Sequence, residues 1–331
     1  MDLLFLNYDR TGACAFYRSS GIIKDLKKKT GHNIDSVSWR DVDVNWAMIN
    51  NYDIIMFQRP YGKPALELCQ YIKDCGVALW CDYDDNLLCI PEDNKASATY
   101  GSKEIQDSIK AILKLADVIT VTTEPLRDSY NEFNNNIEVI PNAFNDTIFN
   151  RGILPPRKKI ALWRGSDTHQ LDLLAYGAPV NQSINEFPEW LFYFIGFNPW
   201  VLNIIDNSLP AKNKGYMKDM DIIQYFHTVM KIAPSVLHVP LNDSLFNRCK
   251  SDIAFLESAY FGAICICPHW WQIPGTIPYT SPDSYYEALK SVITGQVDIE
   301  VNNRIAWEYI QDNLRLSQVN VKRVEIINSL R

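Results

Sequence analysis

The sequence is poor in histidine, with five in 331 residues, and poor in glycine, with 14. Its eight cysteines, at 14, 69, 75, 81, 89, 249, 265 and 267, never fall as Cys-x2-Cys and have no histidine cluster beside them. That argues against a structural zinc site or a disulfide framework and predicts reduced, mostly buried thiols. No Gly/Ser-rich or Pro-rich tether and no short-period repeat is present. Apolar runs such as Ala259 to Pro268 stop far short of the roughly 20 residues that cross a bilayer, so no membrane span is expected. The opening residues Met1 to Arg10 lack the basic start and apolar length of a signal peptide, and read as the first strand of a mature cytoplasmic chain. A formal charge of −7 and a pI near 5.3 exclude a general nucleic-acid coat protein. A local basic groove is still compatible with them: Arg10, Arg18, Lys24, Lys27, Lys28, Lys29 and Arg40 outnumber Asp2, Asp9, Asp25 and Asp35.

What the chain does have is apolar substance, 47% hydrophobic and 12% aromatic residues, in a length beyond that at which single cores stop growing. Short apolar runs alternate with helical periodicity. Strands are expected at Leu3 to Leu6, Asn51 to Gln58, Val77 to Asp82, Val118 to Val121 and Ile137 to Ile140, with helices at Ala15 to Lys29, Pro64 to Cys75, Ser102 to Ala116 and Glu124 to Phe133. This is the signature of a parallel, doubly wound sheet. A polar stretch through Pro155 to Lys159 follows, and the pattern restarts. Strands at Ile160 to Trp163, Trp190 to Ile195, Val236 to Val239 and Ala263 to Cys267 make a second α/β unit. The domains expected are 1–150, 151–302 and a closing helix over 303–331.

Three constellations carry chemistry. At Trp163 to His169 a strand turns into a helix: Gly165 admits close backbone approach, Arg164 brings a fixed charge, and Ser166 stands beside the helix start, so the turn suits a phosphate. An ordinary capped turn reads equally from the same residues. Asp243 to Gly262 is expected to be one helix, with Asp243 or Ser244 as cap and Gly262 as its left-handed end. Lys250, Ala254, Glu257 and Ser258 would share a face, about 10 Å from Lys250 to Glu257. Lys250 and Ser251 then suit a diphosphate and Glu257 a ribose; the alternative is a solvated helix face. Third, Cys81 to Asn86 places Asp82, Asp84 and Asp85 beyond a strand end, where close carboxylates yield a general base, an oxygen-ligand site for a divalent ion, or a turn cap. Gly12 to Arg18, with Tyr17 and Arg18, either meets an acceptor or simply starts a helix.

On these residues the chain resembles nucleotide-sugar glycosyltransferases of the GT-B fold, closest to the retaining group with a Glu-x7-Glu motif. Ile140-Pro-Asn-Ala143 is similar to that group's interdomain segment, Trp163-Arg-Gly-Ser166 to its donor-phosphate turn, and Phe246 to Gly262, which includes Asn247, to its donor helix. The resemblance implies two facing Rossmann-like domains with a central cleft, the acceptor side first and the donor side second. It implies transfer of a hexose or pentose from a UDP-sugar co-substrate, with no metal and no further cofactor. Arg164, Gly165, Ser166, Asn247, Lys250, Ser251 and Glu257 would bind the donor, and Gly12, Tyr17, Arg18 and Asp82 would face the acceptor. Arg164, Lys250, Asp84 and Asp85 would be catalytic. The first motif glutamate is replaced by Cys249. The chain also looks like glycosyltransferases of large tailed phages, which makes a hydroxymethylated pyrimidine in duplex DNA one acceptor and a glycan or polysaccharide another. A nucleotide-sugar epimerase and a non-catalytic nucleotide-binding module are the readings from other classes.

Overall fold

The computed structural model describes residues 1–10, 12–40 and 44–330. The chain divides into two compact units. The first holds Met1–Asn150, the short segment Arg248–Ser251 and the C-terminal segment from Asn313; the second holds Arg151–Asn247 and Asp252–Asp312.

The sheet of the first unit contains β1 (Asp2–Asn7), β2 (Asn33–Ser38), β3 (Ile54–Gln58), β4 (Ala78–Tyr83), β5 (Val118–Val121) and β6 (Ile137–Val139). All pairs are parallel, in the order β2-β1-β3-β4-β5-β6. Central strands such as β3 are buried along their whole length, as expected where helices cover both faces. Alternation then sorts side chains between two cores: Leu4, Leu6, Ile55 and Phe57 pack with Ile109 and Ile112, while Leu3, Phe5, Ile54 and Met56 pack with Leu316 and Ile327. Helix starts follow their caps. Ser102 Oγ accepts from the Ile105 amide, and Thr123 Oγ1 from that of Leu126.

The second unit repeats the scheme with β7 (Lys158–Gly165), β8 (Leu191–Gly196), β9 (Lys214–Met217), β10 (Pro234–His238), β11 (Ile264–Pro268) and β12 (Thr276–Tyr279). The order is β12-β11-β10-β7-β8-β9, again parallel throughout. Strand succession runs outward from β7 on one side and resumes at β10 on the other, the arrangement of a dinucleotide-binding sheet.

Two expectations about helices are corrected. The closing segment is two helices, Ile299–Asn313 and Leu316–Ser329, and the second belongs to the first unit. It is pinned there by a bridge in which the Phe144 amide donates to the Leu314 carbonyl at 2.8 Å and the Leu316 amide to the Phe144 carbonyl at 2.8 Å. The expected helix from Asp243 is also broken, into Leu245–Arg248 and Ile253–Phe261. Cys249 to Asp252 between them are not helical, so Lys250 and Ser251 are not on a helix face and the axial span drawn to Glu257 does not apply. The end at Gly262 is as expected, with φ +80°, and a Cβ there would lie 2.8 Å from Leu154 Cδ1. Three strands missed by the sequence reading, β2, β9 and β12, are all sheet edges, which bury fewer residues and so lack the continuous apolar run.

Candidate functional site

In the second unit, β7 carries Arg164 and Gly165 to the C-terminal end of the sheet, where the strand order reverses between β7 and β10. Gly165 pairs with Gly196 of β8. A Cβ on Gly165 would lie 2.8 Å from the Trp163 ring, and one on Gly196 only 2.3 Å from the Gly165 carbonyl oxygen, so the two strand ends approach this closely only as glycines. Ser166 is exposed, its Oγ 2.7 Å from Thr168 Oγ1. A 3-10 turn at Asp167–His169 and a helix of six residues, Gln170–Ala175, come next. So short an element makes a weak helix start, and the charge available to an anion here is that of Arg164.

Arg164 is braced from beneath. Its Nε donates to Glu257 Oε2 at 2.8 Å, and the Tyr225 hydroxyl donates to the same oxygen at 2.9 Å. Glu257 is 2% exposed, which rules out the solvated face and makes the carboxylate a fixed partner of the guanidinium. Its helix is buried from Ala254 to Phe261, so there is no polar stripe. Burial, and then the charge of Glu257, push the Tyr225 phenol well up, so it stays a donor. Asn247 is buried; its Nδ2 donates to Asp172 Oδ1 at 2.7 Å and to the Asn242 carbonyl, so it holds the loop rather than facing outward. The other oxygen of Asp172 meets His169 Nδ1 at 3.1 Å.

Lys250 and Ser251 are placed in the first unit. Lys250 Nζ is 3.3 Å from Asp85 Oδ1, and Asn142 Nδ2 donates to Ser251 Oγ at 2.9 Å. Cys249, with no exposed surface, packs in that unit's core, its sulfur 3.5 Å from Asn86 Nδ2. Asp84 and Asp85 are joined by a residue the sequence reading missed: Arg59 donates from Nε to Asp84 and from Nη2 to Asp85, each at 2.5 Å. Arg59 sits at φ +50°, a left-handed backbone that a non-glycine side chain adopts only under constraint. The Cys14 thiol, pushed up by burial, also hydrogen-bonds Asp84. Among the described residues no group of three His, Cys, Asp or Glu is placed to hold a metal ion.

Arg18 and Asp82 correct the acceptor-side expectation. Both are 1% exposed, and they meet as a two-toothed pair, Nε to Oδ1 at 3.0 Å and Nη2 to Oδ2 at 2.7 Å. Arg18 Nη1 also donates to the Ile140 carbonyl at 2.6 Å, and Thr120 Oγ1 to Asp82 at 2.6 Å. Every one of these bonds ties one part of the core to another. Tyr17 is buried edge-on against Phe16, and Gly12 donates its amide to Asp9 Oδ1 at 2.6 Å at the start of a short helix. These two follow the helix-start alternative. Arg59 had a signal in the sequence, a charged residue following a buried strand and preceding Pro60. Tyr225 had none, because nothing local distinguishes it from the other aromatic residues of its helix.

No protein-family model and no curated protein matches the sequence. Solved structures do match along its length. Anabaena HepE in complex with UDP and glucose aligns with a TM-score of 0.68 at 10% identity, over 99% of this chain and 100% of that one. A UDP-forming α,α-trehalose-phosphate synthase from Burkholderia xenovorans aligns at 0.65 and 13% identity, over 100% and 98%. A UDP-GlcNAc 2-epimerase from Neisseria meningitidis aligns at 0.58 and 10% identity, over 99% and 100%. These likenesses establish the fold: an α/β chain of two Rossmann-like units of the GT-B type.

Proposed function

We propose that the chain transfers a sugar from a nucleoside diphosphate sugar, in the first instance a UDP-sugar, to an acceptor hydroxyl. The observation that carries this reading is the Arg164–Glu257 pair at the order reversal of the second sheet, the position at which open parallel sheets hold their ligands. As the bond between the sugar and the diphosphate breaks, negative charge grows on the departing oxygens. A guanidinium already oriented by a buried carboxylate and a phenol stabilises that charge without having to reorganise. Gly165 lets the diphosphate approach the backbone, and Ser166 adds a hydroxyl. Glu257 acts through Arg164, which it holds in place from inside the second unit. Asp84 and Asp85 are the candidate bases for the acceptor hydroxyl. The fold shared with proteins solved with UDP and glucose supports the donor class.

A second reading, nucleotide-sugar epimerisation, is favoured by the likeness to the Neisseria epimerase. Incubating the protein with a panel of nucleotide-sugars, with and without glycan or hydroxymethylated duplex DNA, separates the two. A transferase forms product only with acceptor, an epimerase converts the donor alone, and failure to bind any nucleotide-sugar rejects both.

A further inference from the structure

Two pairs of cysteines, Cys69 with Cys81 and Cys265 with Cys267, are hydrogen-bonded and wholly buried, and burial pushes the Cys81 and Cys265 thiols well up. Buried thiols of this kind are inert. Cys89 and Cys249 differ. Cys89 is half-buried in an irregular segment after β4, and its thiol hydrogen-bonds the sulfur of the enclosed Cys249. Asn86 touches both: its Nδ2 lies 3.5 Å from Cys249 Sγ, and its carbonyl accepts from Cys89 Sγ at 3.9 Å. The bond from Cys89, with lesser ones from Asn86 and Ser129, draws the Cys249 thiol down to about 7 against the upward effect of burial. Two sulfurs that share a proton titrate as a pair, so one proton leaves and the remaining one can pass to either sulfur.

Cys249 lies in the segment Arg248–Ser251, which belongs to the first unit although the chain on either side of it belongs to the second. Non-covalent contacts hold the segment there. Thr123 Oγ1 donates to the Cys249 carbonyl at 2.9 Å, Asn142 Nδ2 to Ser251 Oγ at 2.9 Å, and Lys250 Nζ is 3.3 Å from Asp85 Oδ1. We infer that Cys89 and Cys249 close a reversible disulfide when the protein meets hydrogen peroxide, and that the bond fixes the Arg248–Ser251 segment to the first unit. Only Cys89 has to be reached from outside. Its thiolate attacks the peroxide, forming an S–O bond as the O–O bond breaks, so that Cys89 becomes a sulfenic acid and one water leaves. The Cys249 sulfur then attacks Cys89 Sγ, the S–O bond breaks, and the departing hydroxide takes the proton given up by Cys249 as a second water. Two thiols are oxidised and one peroxide is reduced. Both sulfurs stand on non-helical backbone outside the sheet, which can give the small approach from a hydrogen-bonded contact to a bond of about 2.0 Å. None of this rests on the glycosyl-transfer reading.

The test treats the reduced full chain with equimolar hydrogen peroxide, blocks the remaining thiols with N-ethylmaleimide and maps the peptides by mass spectrometry before and after dithiothreitol. The expected result is a link between Cys89 and Cys249 about tenfold or more above any other bridge, those of the half-buried Cys14 and Cys75 included, opened by dithiothreitol and absent from Cys89→Ser. Tryptic cleavage after Lys250 should slow about tenfold or more on oxidation of the parent, because the segment must open to be cut, and stay the same in Cys89→Ser. Oxidation of Cys89 that stops at the sulfenic or sulfinic acid, a different predominant bridge, or cleavage after Lys250 that the link does not slow overturns the inference. Each of these readings is taken on the parent, so a serine variant that fails to fold leaves the test intact.

Discussion

Arg18 and Asp82 lie 64 residues apart and close a two-toothed ion pair in which neither is more than 1% exposed. A pair buried this way contributes little net stability when intact, because desolvation of both charges offsets their attraction, yet it is costly to halve. Arg18→Ala leaves an unpaired carboxylate in the core and is expected to destabilise the first unit by about 4 kcal/mol. The double variant Arg18→Met, Asp82→Leu should recover most of that loss. Urea unfolding followed by fluorescence measures both, and a double variant no better than the single one removes the argument.

Glu257 is the brace of Arg164, not a surface carboxylate. Glu257→Gln keeps the size and a hydrogen bond but loses the charge that holds the guanidinium. UDP binding is expected to weaken about tenfold, or about 1.4 kcal/mol. Tyr225→Phe removes one hydrogen bond to the same oxygen and should cost less, about 1 kcal/mol. Calorimetric titration with UDP ranks the two, and equal affinity in Glu257→Gln and the parent would separate Glu257 from the donor site.

Acid sensitivity should come in part from His238. It is 1% exposed, its Nδ1 is 2.5 Å from the Tyr285 hydroxyl, and burial pushes its pKa down to about 3. The unfolded chain protonates this group near pH 6.5 and the folded chain does not, so between about pH 6.5 and 3 the unfolded state binds more protons. Stability therefore falls as the pH drops through that window, by about 2 kcal/mol at pH 5 from this residue alone. His238→Asn, which keeps a polar atom near Nδ1, should flatten the fall between pH 6.5 and 5. An unchanged slope would assign the acid loss to other groups.

Restoring the glutamate of the resembling family at Cys249 should not improve the protein. The Cys249 side chain has no exposed surface, packs among Asn86, Ser129 and the core of the first unit, and its thiol is lowered to about 7 by a hydrogen bond from Cys89 ahead of those from Asn86 and Ser129, against the upward effect of burial. Cys249→Glu is expected to cost about 3 kcal/mol or more, as an uncompensated buried charge does. Cys249→Ser should be tolerated far better. Melting temperatures of the two variants decide it; a glutamate variant as stable as the parent would mean that the site admits solvent or a counter-charge.

Much of the fold is legible in the linear chain. Runs such as Ile54–Gln58 and Ile264–Pro268 read as central strands because they are apolar, β-branched and too short for a buried helix. The restart after Pro155 marks the second unit, and Gly262 ends its helix because the left-handed turn there favours a residue without Cβ. The turn at Arg164-Gly165 is visible too, since a short local segment contains both the charge and the glycine.

The partners of those residues are another matter. Arg59 meeting Asp84 spans 25 residues, and Arg164 meeting Glu257 spans 93. Helical periodicity from Lys250 to Glu257 suggested one polar face, but the helix breaks at Cys249 to Asp252, and Lys250 and Ser251 go to the first unit while Glu257 is buried in the second. Sequence by itself determined the alternation of strands and helices, because local burial and backbone propensity repeat at fixed periods. Only the tertiary structure decided which charges face each other and which are spent inside the core, because Coulombic and hydrogen-bonding partners are chosen by distance in space, which separation along the chain does not record.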